Sequence, residues 1–148
     1  MFSNILVALD DSPHSDRALQ TAVRLAAQGG PDAKITALRV VPDYHFPEYA
    51  EAFLGGTEVL EGLRRTVIEG AEKKLGAQLQ RCGAPASTHP VVRLGEVAHP
   101  AIAELSKSLG CDLVVMGSRG HGSLAGALLG SQTHRVLASV QQPVLVVH

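Results

Sequence analysis

Five short apolar runs, separated by stretches with helical spacing, leave this chain few folds to adopt. The runs are Ile5–Leu9, Ile35–Val41, Thr88–Leu94, Asp112–Met116 and Val144–Val147. The first, fourth and fifth are continuously apolar, the pattern of strands covered on both faces. His89 and Pro90 interrupt the third. Proline cannot donate to a central ladder, so that run reads as an edge strand.

The segments between the runs repeat every three to four residues. Ser15 to Gln28 lines up Ala18, Leu19, Ala22, Val23, Leu25 and Ala26 before Gly29-Gly30-Pro31 stops it. Thr57 to Cys82 carries Val59, Leu60, Leu63, Val67, Ala71, Leu75 and Leu79, with Gly83 and Pro85 behind it. Val97 to Leu109 places Ala98, Ile102 and Leu105 together, and Gly110 closes it. Ser131 to Val140 carries Val136, Leu137 and Val140. Strand alternating with helix predicts an open five-stranded parallel α/β sheet with helices on both faces. The 148 residues, without an internal repeat or linker, are read as one domain, 1–148.

Pro42 to Gly56 stands outside this alternation and holds Tyr44, Phe46, Tyr49 and Phe53. Its rings either pack on the domain surface or form a lid or partner-binding loop.

Composition removes several function classes. The formal net charge is −1, which gives no electrostatic footprint for nucleic acid or an anionic membrane. Aromatics are 3% of the chain, too few for a base-stacking platform. Cys82 and Cys111 lack metal-ligand or redox spacing and read as two buried free thiols in a reducing compartment. The chain start leads directly into a strand, with neither a basic region nor a signal-length apolar stretch. No apolar run approaches membrane-spanning length. A cytoplasmic protein is expected, with no nucleic-acid or membrane partner.

The chemistry lies in the stretch from Gly117 to Ser131, between the fourth strand and the last helix. Glycine lets backbone amides approach a bulky anion with no Cβ in the way. Gly130 and Ser131 fall at a helix N-terminus, where unpaired N–H groups and the dipole favour phosphate. Arg119 can add a cation. A Walker-type loop needs a Gly-Lys pair, and none occurs in the sequence. Gly120-His121-Gly122-Ser123-Leu124-Ala125 imitates the dinucleotide fingerprint. That fingerprint belongs after the first strand and needs an acidic residue about 20 positions on, where this chain has Ser139-Val140-Gln141-Gln142. What remains is Gly-x-x-Gly, nine residues, then Gly-Ser, spanned by Gly117, Gly120, Gly130 and Ser131.

This spacing resembles the nucleotide-binding motif of the ATP-binding branch of the universal stress protein family. The resemblance extends along the chain, in order: Asn4 to Ser12, Leu94-Gly95-Glu96, Cys111 to Gly120, and Gln142 to Val147. It implies a Rossmann-like fold of the adenine nucleotide alpha hydrolase type, with strand order 3-2-1-4-5. Nucleotide would sit between the first and fourth strands, where open α/β sheets generally place ligands. By the same resemblance Asp10 would hydrogen-bond the adenosine. Ala8 and Val40 would line the adenine pocket, with Met116 nearby. Gly117, Arg119, Gly120, Gly130 and Ser131 would hold ribose and phosphates, with a backbone contact from Gln132. The cofactor would be ATP, with any magnesium held mainly by phosphate oxygens and water.

Three positions depart from the family's habit. Arg39 stands where histidine is common, Gln132 where a small aliphatic is common, and Gln142 where cysteine precedes the proline. Asp11 and Ser12 read as caps of the first helix. His121 and His134 read as solvated, and no histidine set has metal spacing. No nucleophile–base pair or carboxylate pair is visible near the motif, so no catalytic residue is assigned and hydrolysis would be slow at most. The bare edge of Val144–Val147 predicts a homodimer paired through that strand, as the resemblance also implies. The function expected is regulation in a stress response, through bound ATP and unknown protein partners. Two readings stay open beside it: a slow ATPase or nucleotide-transferring enzyme, and a nucleotide-free dimeric module that works through Tyr44–Phe53.

Overall fold

A computed structural model describes residues 1–43, 55–120 and 128–148. The expectations for Tyr44–Phe53 and for His121 lie outside these residues. In chain order the elements are β1 (Asn4–Leu9), α1 (Pro13–Gly29), β2 (Lys34–Val41), α2 (Thr57–Arg81), β3 (His89–Leu94), α3 (Ala98–Ser108), β4 (Leu113–Gly117), α4 (Ser131–Ser139) and β5 (Val144–Val147). The strands form one sheet in the order β3-β2-β1-β4-β5, each neighbouring pair parallel. His89-Pro90 lies at one edge, as proline requires. The order reverses between β1 and β4, so the crossovers on either side of that line leave in opposite directions.

Side chains alternate across each strand and build one core on each face. Ile5, Val7 and Leu9 of β1 join Ile35, Ala37, Leu113 and Val115 beneath Ala18, Leu19 and Ala22 of α1 and Leu75 of α2. Leu6, Leu38, Val114 and Met116 face the other way, onto Ile102 and Leu105 of α3 and Val136 of α4. Each fully buried Leu, Ile or Val contributes about 1.5–3 kcal/mol of transfer free energy. The cysteines are free; Cys111 is buried and Cys82 half-buried.

Two burial expectations fail for reasons of reach. The apolar stripe expected along all of Thr57–Cys82 is buried at Leu60, Ala71 and Leu75, while Val59 and Leu63 are 43% and 46% exposed. A helix of this length runs about 37 Å, whereas the eight residues of β2 run about 26 Å. The helix therefore overhangs the sheet. β5 is not covered on both faces: Leu145 is exposed, and its neighbours Val144, Val146 and Val147 are half-buried. Its outer side lies beyond the helices that cover the central strands.

Candidate functional site

The tip of β1 is fixed by side chains from two helices. Ser12 is the N-cap of α1 and its hydroxyl accepts from Ser15 N at 3.2 Å, with Pro13 preset for the first turn. Ser15 Oγ accepts in turn from Asp10 N at 2.9 Å. Gln78 of α2, 2% exposed, donates through Nε2 to Asp10 O at 3.1 Å and to Ser15 Oγ at 3.1 Å. Asp10 Oδ1 accepts from Ser12 N at 2.9 Å. Both main-chain groups of Asp10 and its carboxylate are thus held in one orientation.

The tip of β4 comes up against this structure. A Cβ on Gly117 would lie 2.8 Å from His14 Cβ and 3.0 Å from His14 C, so only glycine lets α1 pass this closely. A Cβ on Gly120 would lie 2.9 Å from Asp10 Oδ2. Ser12 Oγ donates to Arg119 O at 3.3 Å, which ties the turn after β4 to the cap of α1. Burial, then the positive charges of Arg17 and Arg119, push the His14 pKa down.

The first turn of α4 closes the arrangement. Gly130 is its N-cap, and Gly130 N donates to Ser118 O at 2.7 Å. A Cβ there would sit 3.4 Å from Arg119 Cα and 3.5 Å from Gly120 N, in ordinary contact. Thr133 Oγ1 donates to Gly117 O at 3.0 Å and is shared with Ser118 O at 3.3 Å. The two glycine stretches therefore meet beside Asp10.

Between the tips of β1, β2 and β4 lies a crevice of about 440 Å³, within the range of small-molecule sites. Of the residues singled out in the sequence, Ala8, Asp10, Val40, Met116, Gly117, Arg119, Gly120 and Gln132 line it. Gly130 packs behind the Arg119–Gly120 turn, and Ser131 is exposed at the start of α4. His134 is exposed, as a solvated histidine should be. The lining combines apolar side chains, Ala8, Val40, Ile102 and Met116, which belong to one packed cluster, with Asp10, Arg119 and the glycine backbone. Arg119 Nε and Arg39 Nε are buried and find no hydrogen-bond partner among the described residues.

The sequence reading missed some of the polar frame. Arg39, 5% exposed within β2, donates to Asp11 Oδ1 at 2.9 Å and to Gln78 Oε1 at 3.0 Å. Asp11 and Ser12 were both expected to cap α1; Ser12 does so, whereas Asp11 turns toward Arg39, with Lys74 Nζ at 3.8 Å. Gln78 carried one usable signal. It sits three residues after Leu75 on the face of α2 that packs on the sheet, where a polar residue needs a buried partner.

The strand order, the crossovers and the crevice at the reversal point define a Rossmann-like α/β protein. The model of the universal stress protein family matches residues 1–148. The chain belongs to the universal stress protein family. A relative from Thermus aquaticus, the universal stress protein in the QAH/OAS sulfhydrylase 3′ region, is 35% identical and 99% of each chain is covered. Universal stress protein YxiE of Bacillus subtilis is 33% identical, again with 99% of each covered. Among solved structures, universal stress protein UspA from Lactobacillus plantarum superposes with a TM-score of 0.76 at 25% identity, covering 99% of this chain and 98% of that one. A universal stress protein in complex with cAMP has a TM-score of 0.67 at 24% identity over 99% and 97% of the two chains. One from Archaeoglobus fulgidus in complex with dAMP has a TM-score of 0.59 at 15% identity over 99% and 98%. These last two likenesses are of fold.

Proposed function

We propose that this chain binds an adenine nucleotide, ATP in the first place, in the crevice between β1 and β4, and regulates partner proteins in a stress response according to its nucleotide state. One observation carries the reading. Gly130 N reaches Ser118 O at 2.7 Å and so brings the two glycine stretches together at the wall that Asp10 shares. The crevice suits such a ligand along its length. Ala8, Val40, Ile102 and Met116 offer an apolar slot for the base. Asp10, held on three sides, offers an acceptor to the ribose or base. Arg119, with its buried Nε, and the first-turn amides of α4 suit the phosphates. The cAMP and dAMP complexes of the two structural neighbours support an adenosine phosphate as the ligand class. Magnesium would ride on phosphate oxygens and water. Among the described residues no group of three or more His, Cys, Asp or Glu is placed to hold an ion.

The same reading includes a homodimer formed through β5, whose outer edge has no strand neighbour among the described residues. Among the described residues no helix is long and apolar enough to cross a membrane.

Calorimetry with ATP, ADP and AMP, on protein stripped of carried-over ligand, tests the assignment. In a Gly130→Asp variant the Cβ meets only ordinary contacts, but the carboxylate beyond it would press on the Arg119–Gly120 turn that lines the crevice, and binding should be lost. Normal ATP binding by that variant would remove the site from consideration.

A further inference from the structure

Helix α3 has no cap of its own. Val97 occupies its N-cap position in extended backbone, and no side-chain cap bond forms there. Four amides at a helix start lack intrahelical partners. Two of them are met from another helix: Gln132 Oε1 accepts from Ala98 N at 3.1 Å and from His99 N at 3.2 Å. The His99 ring nitrogen Nδ1 lies 3.4 Å from the same oxygen. Gln132 is the second residue of α4 and lines the crevice.

The residue after it grips in another direction. Thr133, 2% exposed, bonds Gly117 O and Ser118 O at the tip of β4. The first turn of α4 is therefore held to α3 through residue 132 and to β4 through residue 133. An aliphatic side chain at 132 could pack on α3 but could not accept from its amides. Two helix N-termini also meet at one crevice, and both attract negative charge. The Gln132 oxygen satisfies that of α3 and leaves that of α4 to an external anion.

We infer that Gln132 is a positioning residue. By capping α3 from α4, it sets the direction of the α4 first-turn amides and with it the share of nucleotide affinity that comes from phosphate. This inference rests on the nucleotide reading above.

The test compares ATP with adenosine. Gln132→Met keeps the length and apolar stem of the side chain but removes the strong acceptor. ATP affinity should fall about tenfold, the scale of one charge-assisted hydrogen bond, while adenosine affinity stays within about twofold of wild type. The Ala98 and His99 amides should exchange with solvent faster. Val97→Ser with Gln132→Met supplies α3 with a local cap but leaves it untied from α4. That double variant should regain thermal stability and not ATP affinity. If it regains ATP affinity, Gln132 is only a cap and the inference fails. It fails equally if ATP and adenosine weaken together, or if neither changes while wild type binds both. A wild type that binds neither ligand sinks the nucleotide reading and this inference with it.

Discussion

Asp10 and Gly120 stand so close that a methyl group on Gly120 would lie 2.9 Å from Asp10 Oδ2. The carboxylate at the tip of β1 and the bare backbone after β4 share one wall of the crevice. Gly120 has no positive φ, so its need for glycine is one of space and not of backbone conformation.

The first prediction follows from this contact. Gly120→Ala can be accommodated by turning the Asp10 carboxylate, at a stability cost below about 1 kcal/mol. The turn breaks the bond from Ser12 N and misaligns Asp10. Nucleotide affinity should fall about tenfold or more, read by calorimetry beside a denaturant melt.

Gly117→Ala should behave in the opposite way. Its Cβ would press on His14 Cβ and on the main chain of α1, neither of which swings aside. Overpacking of this kind costs about 1–3 kcal/mol. The urea midpoint should drop clearly, whether or not nucleotide is present.

Gln78→Leu tests the buried frame behind Asp10. The variant removes the donor to Asp10 O and the acceptor for the Arg39 guanidinium. A buried cationic donor left short of a partner costs about 2–3 kcal/mol. Chemical denaturation should show this loss, and nucleotide affinity should fall because Asp10 is released. An unchanged midpoint would refute the frame.

Acid should weaken the fold in part through Asp112. Burial pushes its pKa up, but hydrogen bonds from Ser3 N, Asn4 N and the Ser3 hydroxyl more than offset this and hold it below the ordinary 3.8. Below that value the unfolded chain takes up a proton that the folded chain resists. Stability is therefore full above it and declines as pH falls through the lowered folded value. Asp112→Asn should flatten the part of the stability profile that falls away below the ordinary 3.8.

Val146→Pro probes the dimer. Pro143 O and Val147 O accept from β4, so the alternation along β5 turns the Val144 and Val146 main-chain groups toward the open edge. Proline at 146 removes an outward donor and spares the β4 ladder. Sedimentation at micromolar concentration should show a dimer for wild type and a monomer for the variant, with the same circular dichroism. A wild type that sediments only as a monomer would rule out the strand-edge dimer.

Much of the architecture can be read from local chemistry. Continuous apolar runs made β1 and β4 legible as central strands, because a strand covered on both faces has no polar side to show. Pro90 placed β3 at an edge through its missing donor. The bounds of all four helices described come within two residues of those read from spacing, since glycine and proline mark most of their ends. The spacing of Gly117 and Gly120 pointed to tightly packed backbone because close approach forbids side chains, and that constraint is written into residue type.

Tertiary structure decided what depends on distance across the fold. Helical periodicity alone could not tell that α2 overhangs the sheet, because the length of the surface beneath a helix is not a property of its own sequence. It could not pair Gln78 with Asp10, Arg39 with Asp11, or Gln132 with the first amides of α3. Each of these joins groups from different elements, and their partnership exists only once the sheet has set those elements a few ångströms apart. A polar residue in a sequence announces that it needs a hydrogen bond; only the folded chain determines which group supplies it.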